Sequence, residues 1–523
     1  MADPTFGLSI TRIDNEPRTP VWSDMSVLGI IGTAPAAAAD TKSRATIGTG
    51  NAALTFTSKL AGVLGNAIDV RFVAPAGANA ALAVVVTGND IVVNLATGAT
   101  AGVVTTTAAQ IITAIAASAP ANALVAVANA SGSTGASVVA GMAAPVFLTG
   151  GVDEPFPLNT PVMFFSDDPT ALTALGATGT LGDAIALVNA QMGEFQASAR
   201  VIVVRVAEGV NATATIANIV GDGISTGLSA FLDAGELLGY TPRLLAAPGF
   251  TSQRTGSDAN AVCAALPAIC AKLLAHAVVD GPATTMQAAL DWRETIASER
   301  LIPVDPAVRV LESGLTVVQP LSPAILGIAV RRDHEKGGRP FHSWANQPVY
   351  GILGPSRPIR FSLTDGNTEG QSLLAANIGI LIRSERGSDG ALADGGFVFI
   401  GTDNAGNDDL WRFYNVTRGR DFIHLAMIKT VRTYLGRFNI TQQTVQAILN
   451  TMDTVLRDLK AAGDILGYRV SFQPDRNSPE NLRAGKLVVT FEAEEAPVLR
   501  YIGIQSARYR PAVEALIADL ATV

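Results

Sequence analysis

The stretch FPLNTPVMFFSDDPTALTALGATGTLGDAIALVNAQMGEFQASARVIVVRVAEG, residues 156–209, decides the fold class of this chain. Its apolar run Val162 to Ser166 predicts a strand, which leads into a glycine-punctuated loop. A helix is predicted over Leu181 to Phe195, and the β-branched run Val201 to Val206 predicts a second strand. Near-continuous apolar strands separated by helices indicate a mostly parallel sheet covered on both faces. Such units often carry a cofactor at their strand ends. A dinucleotide site, however, needs glycines in the turn directly after the first strand, so that backbone can approach a pyrophosphate. Here that turn holds Asp167, Asp168 and Pro169, whose carboxylates would repel phosphate, and GATGTLG comes late and lacks a P-loop lysine. The residues argue against nucleotide binding.

Outward from this unit the alternation continues to about residue 320. Further strands are predicted at Arg243 to Ala247, Ala277 to Asp280 and Val308 to Glu312. Further helices are predicted at Asp258 to Ala275, bent if Pro267 lies within it, and Ala283 to Ser298. Upstream, MSVLGIIGTAPAAAAD (25–40) reads as a buried strand leaving through Gly32 and Pro35. Between it and residue 152 the composition changes abruptly. From position 45 to 152 the charged residues are Lys59, Asp69, Arg71 and Asp90, in a background of Ala, Gly, Val, Thr and Asn. Strand-like runs recur there at Ala52 to Thr57, Ile68 to Val73, Ala81 to Thr87, Ile91 to Leu95, Leu124 to Ala128 and Val146 to Thr149. The one helix predicted, TTTAAQIITAIAAS, has Thr106 or Thr107 as N-cap and Pro120 as stop. The stretch reads as a β-rich domain inserted into another domain.

From 339 onward charges and aromatics become frequent. An apolar strand GFVFIGT (396–402), helices over 421–436 and 441–462, and two returning strands, GYRVSFQP and GKLVVTFEAE, predict an α+β C-terminal domain. At the other end, TFGLSITRI puts Phe6, Leu8 and Ile10 on one side of a strand with no hairpin partner nearby. Such a strand either frays or adds to the sheet edge of another chain.

Bulk properties narrow the function classes. A chain of 523 residues exceeds one ordinary core. Charged residues make up 16% and mean hydropathy is +0.32, which points to surface hidden by assembly or by a membrane. No run of about 18–20 apolar residues supports a span, and MADPTFGLSITRIDNEPR has no pattern of a secretory signal. Assembly is the reading left. A net charge of −8 argues against nucleic acid as partner. Cys263 and Cys270 sit roughly 10 Å apart along a predicted helix axis, too far to bond each other. They read as buried thiols, with cross-links to neighbouring subunits as the alternative.

Candidate chemistry is sparse. Of the four histidines, His276 ends an Ala/Leu helix and His424 lies on an apolar helix face, both readings that favour packing. His334 and His342 flank EKGGRP, but no spaced Cys or carboxylate completes a metal set. DNAGNDD (403–409) has the oxygens of a calcium loop without its distal bidentate Glu, and reads as a turn. No catalytic, metal-binding or cofactor-binding residue is therefore assigned. Residues 410–438 hold Arg412, Arg418, Arg420, Lys429, Arg432 and Arg437 against one acid, Asp421. On a helical projection Lys429 and Arg432 fall opposite Ile423, Met427, Val431 and Tyr434. They form either a solvated face or a basic strip for an acidic partner.

Seven blocks carry a resemblance. VLGIIGTAP, PLNTPVMFFS, GTLGDAI and VIVVRV, followed by YTPRLLAAPGF (240–250), NQPVYGILG (346–354) and GFVFIGT…FYNVTRGRDFI (396–423), resemble the phage contractile-tail sheath proteins in kind and order. The resemblance covers roughly 1–44 and 152–505, and carries no function onto the insert. It implies a non-enzymatic structural subunit with a subtilisin-like α/β sheath domain lacking a triad, so that the opening unit is scaffold. It also implies a C-terminal domain facing the tail tube, through Lys429 and Arg432, and terminal arms that add strands to neighbouring sheets. The division is then an N-terminal arm (1–22), the first core strand (23–44), a peripheral insert (45–151), the α/β core (152–338), the tube-facing domain (339–499), and a C-terminal arm and tail (500–523). Arm residues are Phe6, Leu8 and Ile10 at one end and Tyr501, Ile502 and Ile504 at the other, since YRPAVEALIADLATV reads as a helix. Implied partners are the chain itself in a helical homo-oligomer, a tail tube protein, and baseplate and tail terminator proteins. Neither nucleic acid nor membrane insertion is implied, and no cofactor. The implied location is the virion tail, after assembly in the host cytoplasm. The alternatives are a hydrolase on a subtilisin-like fold, or another self-assembling shell or fibre protein.

Overall fold

The computed structural model describes residues 24–193, 198–384 and 396–522, so Phe6, Leu8 and Ile10 lie outside the described residues. Its main sheet has six strands: β1 (Leu28–Thr33), β2 (Pro161–Phe165), β3 (Arg200–Val206), β4 (Leu244–Ala246), β5 (His276–Asp280) and β6 (Leu301–Val304). Their spatial order is β6-β5-β4-β1-β3-β2, with β1 at the centre. All neighbours run parallel except β2, which pairs antiparallel with β3, Met163 opposite Ile202. Alternate side chains serve two cores, as the two-residue strand period requires. Leu28, Ile30, Val201 and Val203 face one side, under helices α1 (Leu181–Asn189) and α3 (Ser322–Glu335). Val27, Ile31, Ile202 and Val204 face the other, under α2 (Ala261–Leu273) and the helix Ala212–Val220.

Several boundaries differ from the sequence reading. Val308–Glu312 leaves the main sheet and forms an antiparallel hairpin with Leu315–Gln319. The sixth core strand is instead LIPV, where Pro303 reads as a breaker but sits on an edge strand, which tolerates a missing donor. The helix from 181 ends at Asn189, and the one read from 283 is confined to Met286–Arg293, capped by Thr285. Pro267 does lie inside α2. The sequence carries no helical period over α3: every residue from Ser322 to Arg331 is buried, so it lacks an amphipathic stripe. His276 is the first residue of β5 and not a helix end.

Residues 44–148 build a separate core around Leu54, Phe56, Val70, Phe72, Ile91 and Ile111. One small sheet joins Arg44–Ile47, Leu54–Ser58 and Val125–Asn129; another orders Ala83–Thr87, Asp90–Asn94, Asp69–Val73 and Val146–Phe147. The helix Ala108–Ala117 opens on a capping box in which Thr107 accepts from the Gln110 amide and the Gln110 side chain accepts from that of Thr107. Pro120 stops nothing; it occupies the first turn of a second short helix, Ala119–Leu124, where its missing N–H is no loss. The two ends of this module meet at its base, with Thr41 bridged to Val152 and Arg44 to Thr149.

Towards the C-terminus, helices α4 (Tyr414–Val431) and α5 (Gln442–Ala462) pack with the hairpin Ile465–Phe472/Val489–Glu495. Helix α5 follows directly from its sequence. Ile448, Met452, Val455, Leu456 and Leu459 form one apolar stripe, Thr441 caps its start, and Gly463 takes the left-handed position at its end. Helix α4 begins well before the predicted residue 421. Among the described residues no helix is long and apolar enough to cross a membrane.

Candidate assembly surfaces

Helix α4 is the junction of the molecule. Gly419 lets it lie flat on the Phe341 ring, where a Cβ would come within 2.5 Å. One position earlier, Arg418 is fully buried and forks onto Asp333 of α3, Nη2 to Oδ2 at 2.6 Å and Nη1 to Oδ1 at 3.2 Å. Its guanidinium also lies 4.9 Å from the Trp344 ring, and Ser26 donates to the same carboxylate. Arg420 forks onto Glu495 at 2.6 and 2.9 Å and stacks over Trp411. Asp421 receives both guanidinium nitrogens of Arg300, from the turn before β6. Bidentate Arg–carboxylate pairs fix orientation as well as charge, so this one helix is pinned to the core, to the segment before β1 and to the terminal hairpin.

This corrects the reading of 410–438 as a basic strip against one acid. Arg412 and Arg500 share Asp403, at 3.1 and 3.0 Å, and Arg418 and Arg420 are taken by Asp333 and Glu495. The acids come from distant sequence and face inward. Asp403, the first residue of DNAGNDD, is thus turned onto two arginines. The far end of α4 carries Lys429 and Arg432. Lys429 is half-buried on the last helical turn, and Arg432 is exposed in the 3-10 turn that follows, beyond the helix proper. Burial, with Arg243 and Arg432 close by, pulls the Lys429 ammonium below its usual range.

Tyr501, Ile502 and Ile504 lie in a segment without regular structure, 496–509, and are 84%, 66% and 87% exposed. Leu499 is likewise exposed. The Arg500–Asp403 pair holds the root of this segment, which forms one wall of a cleft of about 810 Å³ together with Phe341, His342, Asn415 and Asp464. Among the described residues the buried Asn415 Oδ1 has no partner.

Among the described residues, His276, Thr417 and Asp421 have the composition of a hydrolase triad. His276 Nε2 lies 3.0 Å from Thr417 Oγ1, and His276 Nδ1 is 3.7 Å from Asp421 Oδ2. The latter is too long for a hydrogen bond, and Asp421 is already committed to Arg300. All three side chains are buried between sheet and helix. Burial and the nearby Arg300 and Arg418 hold the imidazole well below its usual range, in its neutral form. A nucleophile needs an exposed, polarised hydroxyl with a correctly oriented base; this trio is a core junction. Asp280, pushed up to about 6 by burial, accepts from the Ser322 amide and hydroxyl. Both thiols are buried, and burial pushes that of Cys270 up to about 12, so neither reaches a neighbouring chain.

Residues 406–506, spanning α4, α5 and the terminal hairpin, match the model of the phage tail sheath C-terminal domain. A prophage major tail sheath protein of Pseudomonas aeruginosa is 31% identical over 288 residues, 55% of this chain and 70% of that protein. The tail sheath protein of Escherichia phage P2 is 25% identical over 365 residues, 67% of this chain and 86% of its own length. In fold, the chain is similar to the contracted helical sheath of the anti-feeding prophage, with a TM-score of 0.51 at 19% identity, covering 67% of this chain and 89% of that one. The chain belongs to the phage contractile-tail sheath protein family and is a structural subunit of a contractile tail sheath.

Proposed function

We propose that copies of this chain polymerise as a helical tube around a tail tube, assemble in the host cytoplasm between baseplate and terminator proteins, and shorten to drive the tube through a host envelope. The observation that carries this reading is the run Leu499, Tyr501, Ile502 and Ile504. Four large apolar side chains stand in solvent on a segment with no sheet of its own. An isolated subunit gains nothing from such exposure, and a lattice of subunits covers it. In this reading Phe6, Leu8 and Ile10 form the opposite arm, and each arm adds a strand to a neighbour's sheet. The arms keep the mesh connected while the α/β cores move past one another.

Lys429 and Arg432 face an acidic strip on the tube in this proposal. Each pair in a partly screened interface contributes about 1 kcal/mol or less, enough over many copies to hold register and weak enough to release on contraction. The module at 45–151 projects from the outer surface. Removing residues 1–14 tests the mechanism. The truncated chain should remain a folded, soluble monomer that electron microscopy finds dispersed, where the full chain gives striated tubes. Regular tubes from the truncated chain would rule out edge addition at that end.

A further inference from the structure

Beyond residue 506, where the family match ends, the chain continues into helix α6 (Pro511–Leu520). None of its residues is buried, and Val513, Leu516, Ile517 and Leu520 are 55–64% exposed. At about 100° per residue these four share one face, with Glu514 flanking it on one side and Asp519 on the other. A ten-residue helix is marginal in water without a surface to pack on. Its apolar face and acidic edges describe what that surface should be: apolar in the middle and basic at the rim.

A groove of about 270 Å³ has that character. It lies between the hairpin strand Val308–Glu312 and the strand pair Ile380–Arg383/Phe397–Ile400, floored by Leu353, Ile359 and Phe397. Arg309, Arg360 and Arg383 stand exposed at its rim, and among the described residues no acid lines it. Among the described residues neither Arg309 nor Arg383 has a carboxylate partner, and Arg360 reaches Asp365 only at 4.0 Å on the surface. Arg383 lies over the Phe397 ring at 5.7 Å. Exposed arginines beside aromatic and aliphatic floor residues have the composition of an interaction hot spot.

We propose that α6 of one subunit docks in this groove on a second copy, seating Leu516 and Leu520 on the floor and setting Glu514 and Asp519 against the three arginines. The inference rests on the sheath reading for the presence of neighbouring copies, and adds to it a helical clasp lying beyond the matched family domain. The test uses full-length chains. Leu516→Cys in one chain and Leu353→Cys in another should give an oxidised heterodimer when the two are co-assembled; the native thiols are buried and give no background. Arg309→Glu, Arg360→Glu and Arg383→Glu together should abolish that dimer, and Glu514→Arg with Asp519→Arg in the partner should restore it. A chain ending at residue 508 should need about tenfold more protein to polymerise, the equivalent of a few exposed ion pairs and a small apolar contact. A disulfide confined to single, doubly substituted chains, or one indifferent to charge reversal, would overturn the proposal. Tubes forming from the shortened chain at unchanged concentration would also overturn it, while leaving the sheath reading standing.

Discussion

The inserted module and the junction around α4 solve the same packing problem with opposite chemistry. The module carries four charged residues between 45 and 152, of zero net charge, and rests on small and β-branched side chains around Phe56 and Phe72. Its links to the rest are short and local: the Thr41–Val152 and Arg44–Thr149 bridges, and Asp153 accepting from the Val63 amide at 2.9 Å. The α4 junction instead fastens distant segments through bidentate ion pairs onto buried carboxylates, Arg418–Asp333, Arg300–Asp421 and Arg420–Glu495, the first buried on both sides. Apolar packing tolerates sliding and resizing, whereas a buried charge pair fails as soon as either partner moves. A sheath subunit that must survive rearrangement of its lattice needs the second kind of joint inside, and can carry the first kind as an appendage.

Breaking the junction should have the largest effect. Arg418→Met leaves Asp333 buried without its partner, and should cost about 3–5 kcal/mol in urea unfolding. Adding Asp333→Asn should recover part of that loss, since the stranded charge is then gone. A single substitution within about 1 kcal/mol of the parent would mean that the junction is held by packing around Trp344 alone.

Inside the module the equivalent insult is smaller and should stay local. Thr107→Ala removes one half of a capping box and should lower the module's own stability by about 1 kcal/mol. Hydrogen exchange should quicken at 108–117 and remain unchanged in β1 and β3. Exchange that rises across the main sheet would show that the two units unfold as one.

The smallest effect should come from the largest change. Because the ends of the module meet at its base, replacing 46–151 by a short linker leaves the strands β1 and β2 free to take their places. Unfolding of the remaining chain should be unaltered, and tubes should still form. A folded deletion variant unable to form any tube would place the module inside the lattice contacts instead of on the outer surface.

How much of this was legible in advance depends on the range of the interactions. Strand β3 is visible in VIVVRV because a doubly covered strand is apolar at nearly every position, with Arg205 the exception here. Helix α5 is visible because one stripe of it is buried and the rest is wet. Thr107 was one of two candidate caps, and the capping box selects it. Helix α3 was invisible for the converse reason: with both flanks covered, its residues carry no period. LIPV gives no clear strand signal, because proline signals a break unless the strand is known to be an edge, and edges exist only in the finished sheet.

The sequence by itself determined the alternation of strands and helices, the low-charge module, the apolar terminal segment and, through its ordered blocks, the family. These are encoded in neighbours a few residues apart, where period and composition act directly. Only the tertiary structure decided where the charges went. Arg418 meets Asp333 across 85 residues and Arg420 meets Glu495 across 75, so a run of arginines that looks like an outward basic strip becomes a set of inward clamps. Burying a charge is costly unless a specific partner is waiting, and which partner waits is fixed by how the chain folds back on itself.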